Sequence, residues 1–335
     1  MAWTRLPVDR TDVLMSCHPC MRGLLLALLL TSLNAISEEG GNGHYFPGSM
    51  SSFIDGVPAE ETLIFRLNVL NYDGEFDSDV RVPIAGLAAL DVEVESSAVG
   101  LTGLWRPPIE FVERWSYAAA VTVPFMDLEV NADVAIPQDP QGRAVRRSDS
   151  DSGLGDVLLF PLMLNYQVNP ALNYNFRLGL YAPTGDYQAG KLANTSKNYW
   201  SVEPTLAAVY LNPKNGREIS AFLGATFNQE NDDTDYKSGT QMHLEVTAAQ
   251  HFPLWSGLGG VGLSGFWYEQ VTGDSGSGAS FGDFKAKALG IGPVVSWAGQ
   301  LAGTDTVAEF KWLHESGVEK RPEGDTLFLK IVFKF

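Results

Sequence analysis

Runs of about ten residues in which every second side chain is apolar recur along most of the chain, and this period narrows the folds open to it. Successive side chains of a strand point to opposite faces, so a period of two marks a strand with two unlike surfaces. In 62–72, Leu63, Phe65, Leu67 and Val69 share a face opposite Arg66 and Asn68; in 172–182, Tyr174, Phe176, Leu178 and Leu180 oppose Asn173, Asn175 and Arg177. In 126–136, Leu128, Val130, Ala132 and Val134 oppose Asp127, Glu129, Asn131 and Asp133. The last run, 326–335, places Leu327, Leu329, Ile331, Phe333 and Phe335 against Thr326, Lys330 and Lys334. Similar runs lie at 82–94, 98–106, 114–124, 156–168, 198–211, 217–229, 239–252, 257–271, 283–297 and 303–315. No helical period is sustained, and after residue 35 no apolar window reaches the ~20 residues of a spanning helix.

The connectors alternate in length. Asn169-Pro170, 212–216, 253–256 and 298–303 are short; 137–155, 183–198, 229–239, 271–283 and 316–325 are long and polar. A barrel crossing one bilayer produces that order, with short turns on one side and long loops on the other, whereas a soluble sandwich has little reason to keep it. Closure satisfies every backbone group within the sheet, which a lipid environment demands. The expected fold is an all-β antiparallel transmembrane barrel of about 12–14 strands. Fourteen is the preferred count, with twelve if 62–94 packs inside the pore. Trp105, Trp115, Tyr117, Tyr199, Trp200, Tyr210, Trp255, Trp267, Tyr268, Trp297 and Trp312 fall near strand ends, where amphipathic rings suit the headgroup region.

Targeting and composition agree with export. Met21-Arg22, the apolar run 23–30 and a small residue at Ala35 have the parts of a secretory signal, so 1–35 reads as a signal peptide with Met21 as the true start and 1–20 as an upstream extension. Cys17 and Cys20, the only cysteines, fall in that removable stretch, which leaves no disulfide framework. The formal charge is −17, from 23 basic and 40 acidic residues. That balance excludes nucleic acid as a partner, because a phosphate backbone needs a basic face. Segment 36–61, with Tyr45, Phe46, Phe53 and Ile54 among Gly, Ser and Pro, is the expected N-terminal plug, and 62–335 the barrel. Ending on Phe335 fits the terminal aromatic by which insertion machinery recognises an outer-membrane barrel.

Several strand–loop junctions carry a further signature. They are Gly43-His44-Tyr45-Phe46-Pro47-Gly48, Gly153-Leu154-Gly155-Asp156-Val157 ahead of Pro161, Ala182-Pro183-Thr184-Gly185-Asp186-Tyr187, and 194–200 ahead of Pro204. Phe227-Asn228-Gln229-Glu230-Asn231 with 234–239, 270–276, and Gly290-Ile291-Gly292-Pro293 follow in order. Together they resemble the family named for involvement in the meta-pathway of phenol degradation, from about residue 40 to the end. The resemblance implies an outer-membrane barrel linked with aromatic catabolism and expected to admit hydrophobic compounds. Phe111 to Arg114 and the 137–150 connector depart from the family pattern.

The inward face is expected to carry Arg66, Asp91, Glu93, Asp127, Glu129, Asp133, Arg177, Glu203, Glu218, His243, Glu245, Glu269, Lys285, Lys287, Glu309, Lys311 and Lys330, mostly ion-paired. The run 157–164 is apolar on both faces, so its inner side needs a cover. The expected permeant path therefore takes Tyr45, Phe46, Phe53, Leu159, Met163, Arg177, His243, Glu245, Lys285 and Lys287. The expected function is passive uptake of small hydrophobic or aromatic compounds through the outer membrane of a Gram-negative bacterium. The alternatives are a structural or surface-binding barrel and a general porin. An enzyme is disfavoured: His243 and Glu245 are spaced as an acid–base pair, but no nucleophile motif stands beside them. No catalytic residue, cofactor or metal is expected. Asp232, Asp233, Asp235 and Asp274 lack the spacing of a calcium loop and read as a solvated acidic surface near lipopolysaccharide.

Overall fold

The computed structural model describes residues 43–335 apart from 51, 78, 110–111, 137–138 and 280–284. The expected signal peptide, the alternative start at Met21, both cysteines and residues 36–42 of the expected plug lie outside the described residues. Fourteen strands form one sheet: β1 (Thr62–Glu75), β2 (Val82–Ile84), β3 (Leu87–Arg106), β4 (Trp115–Ala135), β5 (Ala144–Leu154), β6 (Val157–Asn169), β7 (Leu172–Ala182), β8 (Ser201–Leu211), β9 (Arg217–Asn228), β10 (Gln241–Leu254), β11 (Gly257–Gln270), β12 (Lys287–Leu301), β13 (Thr304–Glu319) and β14 (Glu323–Lys334). Each wall strand pairs antiparallel with its neighbours, and β1 pairs with both β3 and β14. That pairing closes a ring of twelve strands, leaving β2 and β5 as additions outside it.

The count falls from fourteen to twelve because two pairs of expected strands are continuous. The run 82–94, apart from its β2 start, and the run 98–106 are both β3, and 114–124 and 126–136 are both β4. Their apolar phase reverses part-way. In β4, Val121 and Phe125 are exposed on the outer face, while Val130, Ala132 and Val134 beyond them are buried on the inner one. In β3, Val99 and Leu101 face outward and Val92 is buried. The reversal marks the level at which the outer face stops meeting hydrocarbon, so it mimics a break without being one. Pro124, inside β4, stands where the partner changes from β6 to β5 and only its carbonyl is used, accepting from Gly155 N–H.

At 20 and 21 residues, β3 and β4 greatly exceed the ~9–11 needed to span. Their ends, with β2 and β5, form a tongue beyond the apolar band. Its inner side packs Val82, Ile84, Val92, Val130, Ala132 and Val134 against Leu192 and Ala193 of the β7–β8 loop. Its outer side carries Asp91, Glu93, Asp127, Glu129 and Asp133. These five carboxylates therefore stand outside the lumen, contrary to expectation: period two separates two faces but does not say which is interior once a strand leaves lipid. Glu269 and Lys287 are also outward and face each other across β11 and β12.

The short connectors and both ends of the barrel chain share one end. Phe335 N–H donates to Leu63 O at 3.0 Å and its ring packs edge-on to Phe65. The β9 turn at that end needs Gly216, whose φ is 67° and whose Cβ position is already filled by the His251 carbonyl. The β13–β14 connector, expected to be long, is only 320–322 because both strands extend farther than their apolar runs. Around the outside, Leu206, Ile219, Leu263, Ile291 and Phe310 are exposed in a band, with Trp105, Trp115 and Trp255 towards the short-turn end and Trp200 and Trp312 towards the other. Tyr199 and Tyr268, expected among the girdle rings, are buried instead. Leu263 lies mid-strand and is 58% exposed. Leu263→Arg is expected to lower folding stability in lipid by about 2–4 kcal/mol, whereas Glu129→Arg on the tongue costs little; urea titration of refolding into vesicles measures both.

Candidate functional site

The interior is defined by inward charges that would be intolerable unpaired, and by the segment that pairs them. From the short-turn end, residues 57–52 and 50–43 lead back through the interior as turns and bends with one 3-10 turn, Phe53–Asp55. With no sheet of its own, this segment finds its backbone partners among side chains of the wall. Gly48 N–H donates to Glu245 Oε1 at 3.0 Å and Met50 N–H to Oε2 at 3.2 Å. Lys311 Nζ donates to Gly48 O and Lys330 Nζ to Ser49 O, both at 2.7 Å. Phe53 N–H donates to Glu218 Oε1 at 2.7 Å, and Ser52 donates to Glu309.

Asp55 is the strongest anchor. Its carboxylate accepts from Arg66 Nη1 at 2.8 Å and Lys330 Nζ at 2.7 Å, and its carbonyl accepts from Arg177 Nη2 at 2.9 Å. Burial by itself raises a carboxyl pKa, but Lys330 and Arg66 outweigh it and hold Asp55 well below the usual carboxylate range. At the far end, His44 bridges Ser201 Oγ at 2.7 Å and Asp156 Oδ2 at 2.9 Å, its ring stacked on Tyr181. Burial lowers the His44 pKa by more than Asp156 raises it. Asp156 falls below its ordinary range: burial raises it, and the His44 hydrogen bond and charge prevail.

The sequence-expected path residues divide into two groups. Tyr45 is buried and stacks on His243 with ring centroids 3.6 Å apart; Gly224 leaves the room that His243 fills. Phe46 packs edge-on to Tyr72 and Phe328, and Phe53 edge-on to His251. Met163, Arg177, His243 and Glu245 are all inward and buried. Glu245 is taken up by the backbone of Gly48 and Met50, so it makes no acid–base pair with His243, whose neighbour is Glu203 at 3.5 Å. Leu159, Lys285 and Lys287 stand elsewhere. A bulge between Leu159 and Leu162 shifts the phase of β6, so Phe160 and Met163 both face inward while Leu159 pairs with outward Leu180. Lys285 is exposed in a connector, and Lys287 lies on the outer face, 3.9 Å from Glu319. Among the described residues no group of three metal-ligating side chains converges. In the loops, Asp274 accepts from Gly239 N–H and Gln270 Nε2.

Between this segment and the wall of β1, β3, β4 and β6 lies a cavity of about 220 Å³. Its sides are Ile64, Leu70, Ala98, Leu104, Ala120, Leu158, Phe160, Met163 and Phe328, with Phe46, Met50 and Ile54 of the segment closing it. Small inward residues on β3 and β4, among them Ala98, Gly100 and Ala120, leave the space. Sequence reasoning located the apolar inner patch near 157–164 and put Arg66 on the inward face, but missed Ile64 and Leu104 as other walls, since their cavity-facing role depends on strand pairing. A second pocket, of about 80 Å³, sits beneath the tongue against Val92, Val94, Leu128, Tyr187 and Leu192.

Residues 78–331 match the family described as the putative MetA-pathway of phenol degradation. The chain belongs to that family. Its fold is that of an outer-membrane barrel. A crystallised outer-membrane channel from Pseudomonas putida F1 superposes with a TM-score of 0.63 at 17% identity, covering 87% of this chain and all of that one. More distant are a FadL homologue from Pseudomonas aeruginosa (TM-score 0.43, 8% identity, 90% of this chain and 99% of that one) and the autotransporter AIDA-I transport unit from Escherichia coli (0.44, 9%, 85% and 95%). These neighbours are channels and transport units rather than enzymes. No curated protein matches the sequence.

The depressed Asp55 pKa fixes the sign of a pH dependence. The stabilisation is complete above the unfolded carboxyl value of ~3.9 and is lost as pH falls below it towards the folded value. Protection factors of the amides in 43–57, the exchange rates referred to the free-chain rate at each pH, are expected to stay high from neutral pH to about pH 4 and to drop below. Asp55→Asn breaks a buried pair at a cost of about 3–5 kcal/mol and should lower that protection above about pH 4, where the wild-type carboxylate is charged. Unchanged protection in the variant would show that Asp55 does not hold the segment.

Proposed function

We propose that the chain is an outer-membrane channel for passive uptake of small aromatic compounds, with its N-terminal segment as a fixed plug and the interior cavity as the narrowest station of the route. The observation that carries this reading is the 220 Å³ apolar space left beside the segment. An engineered apolar cavity of ~150 Å³ admits benzene, so the space suits a single ring. Inward charges, by contrast, are largely occupied in binding the segment, which leaves little for a hydrated solute to exchange its water against. Long loops place the tongue outside the cell and short turns face the periplasm, as in barrels of this kind. A permeant first meets the pocket under the tongue, then passes into the cavity along Phe46, Phe160 and Met163. The acidic outer face of the tongue stands at the level of the lipopolysaccharide headgroups, and Phe335 is presented to the insertion machinery. Family membership supports an aromatic permeant.

Transport is tested by adding radiolabelled phenol, toluene or a small sugar to lipopolysaccharide-bearing vesicles with and without the refolded chain. Faster aromatic uptake than in protein-free vesicles, with the sugar excluded, is the expected result. Met163→Trp should cut aromatic uptake by about tenfold, because the larger side chain fills the passage that Met163 lines. Sugar uptake as fast as phenol would make the chain a general porin; uptake of neither through a folded barrel would leave a structural role.

A further inference from the structure

The interior cavity is apolar over most of its lining, with a few charged side chains at one edge. Arg66, Arg177 and Lys330 line it as cations and Asp55 as the one anion. Arg177 and Lys330 direct donors to Asp55 and the segment backbone. Arg66 gives Nη1 to Asp55, whereas its Nε is buried without a hydrogen-bond partner among the described residues. A buried guanidinium N–H lacking an acceptor costs free energy, and so does a carboxylate brought into an apolar space alone. Each removes the other's penalty. A guanidinium also matches a carboxylate in shape and charge better than it matches a neutral hydroxyl.

We propose that the cavity is a binding station for single-ring aromatic carboxylates, with the carboxylate on Arg66 Nε–H and the ring against the apolar walls. This assignment rests on the channel reading and narrows its substrate class. A neutral phenol offers the Arg66 guanidinium no charged acceptor, and a bare hydrocarbon leaves Arg66 Nε unsatisfied. Gly100 and Ala120 leave the cavity open opposite the segment, and the volume admits a single ring.

The test is equilibrium dialysis of radiolabelled benzoate, phenol and toluene against the full chain refolded in detergent, with empty micelles as blank. Benzoate is expected to saturate at one per barrel and to bind about tenfold or more tighter than toluene, as one charged hydrogen bond implies. Arg66→Gln should collapse that preference and Arg66→Lys should restore only part of it. Ala120→Leu, which fills the cavity, should weaken both ligands, and Lys214→Gln on a distant turn should change nothing. Folding of each variant is checked by its heat-dependent gel mobility. Benzoate binding no tighter than toluene, or a preference that survives Arg66→Gln in a folded barrel, overturns the assignment. Vesicle uptake by the same preparation separates the two readings: toluene uptake without a benzoate preference removes this inference alone, and failure of every aromatic to bind or pass removes both.

Discussion

A strand in hydrocarbon has no solvent to satisfy its edge, so the sheet must close on itself. In this chain closure depends on β1, which pairs with β14 on one side and β3 on the other. Once the ring is shut, every wall residue has an assigned side, and the outer apolar band and inner polar rows follow from strand pairing. β2 and β5 need no place in that ring because they lie where water again satisfies the backbone.

Closure creates a second problem in the interior. Glu218, Glu245, Glu309, Lys311 and Lys330 are directed into a space too narrow to hydrate them freely. The N-terminal segment answers it by presenting bare backbone donors and acceptors, and the acidic side chain of Asp55, to those groups. Irregular backbone is tolerated there because the wall side chains take the place of a partner strand. The segment and the wall are thus mutually dependent: neither has its polar groups satisfied without the other.

The segment does not fill the interior evenly. Most of its polar contacts are to β9, β10, β13 and β14, and it leaves space along β1, β3, β4 and β6, where small residues line the wall. An apolar passage beside a polar seam follows from this asymmetry. Arg66 stands where the two meet, bonded to the segment through one nitrogen and unsatisfied at another.

Much of this could be read from the chain alone. Period two, alternating connector lengths and the absence of long apolar helices determined an antiparallel barrel, and the ordered motifs from Gly43 to Pro293 determined the family. The inward placement of Arg177, His243 and Glu245 was legible because polar and apolar residues alternate cleanly there. Strand number, the phase of Leu159 and the sides taken by Glu93, Glu129 and Lys287 were decided by tertiary structure. Periodicity records two faces but neither which one meets lipid nor where a bulge exchanges them. Those depend on the height of a strand in the bilayer and on its partner's register. The cavity was likewise beyond sequence, since it is the space left among seven separated segments after each has satisfied its own backbone.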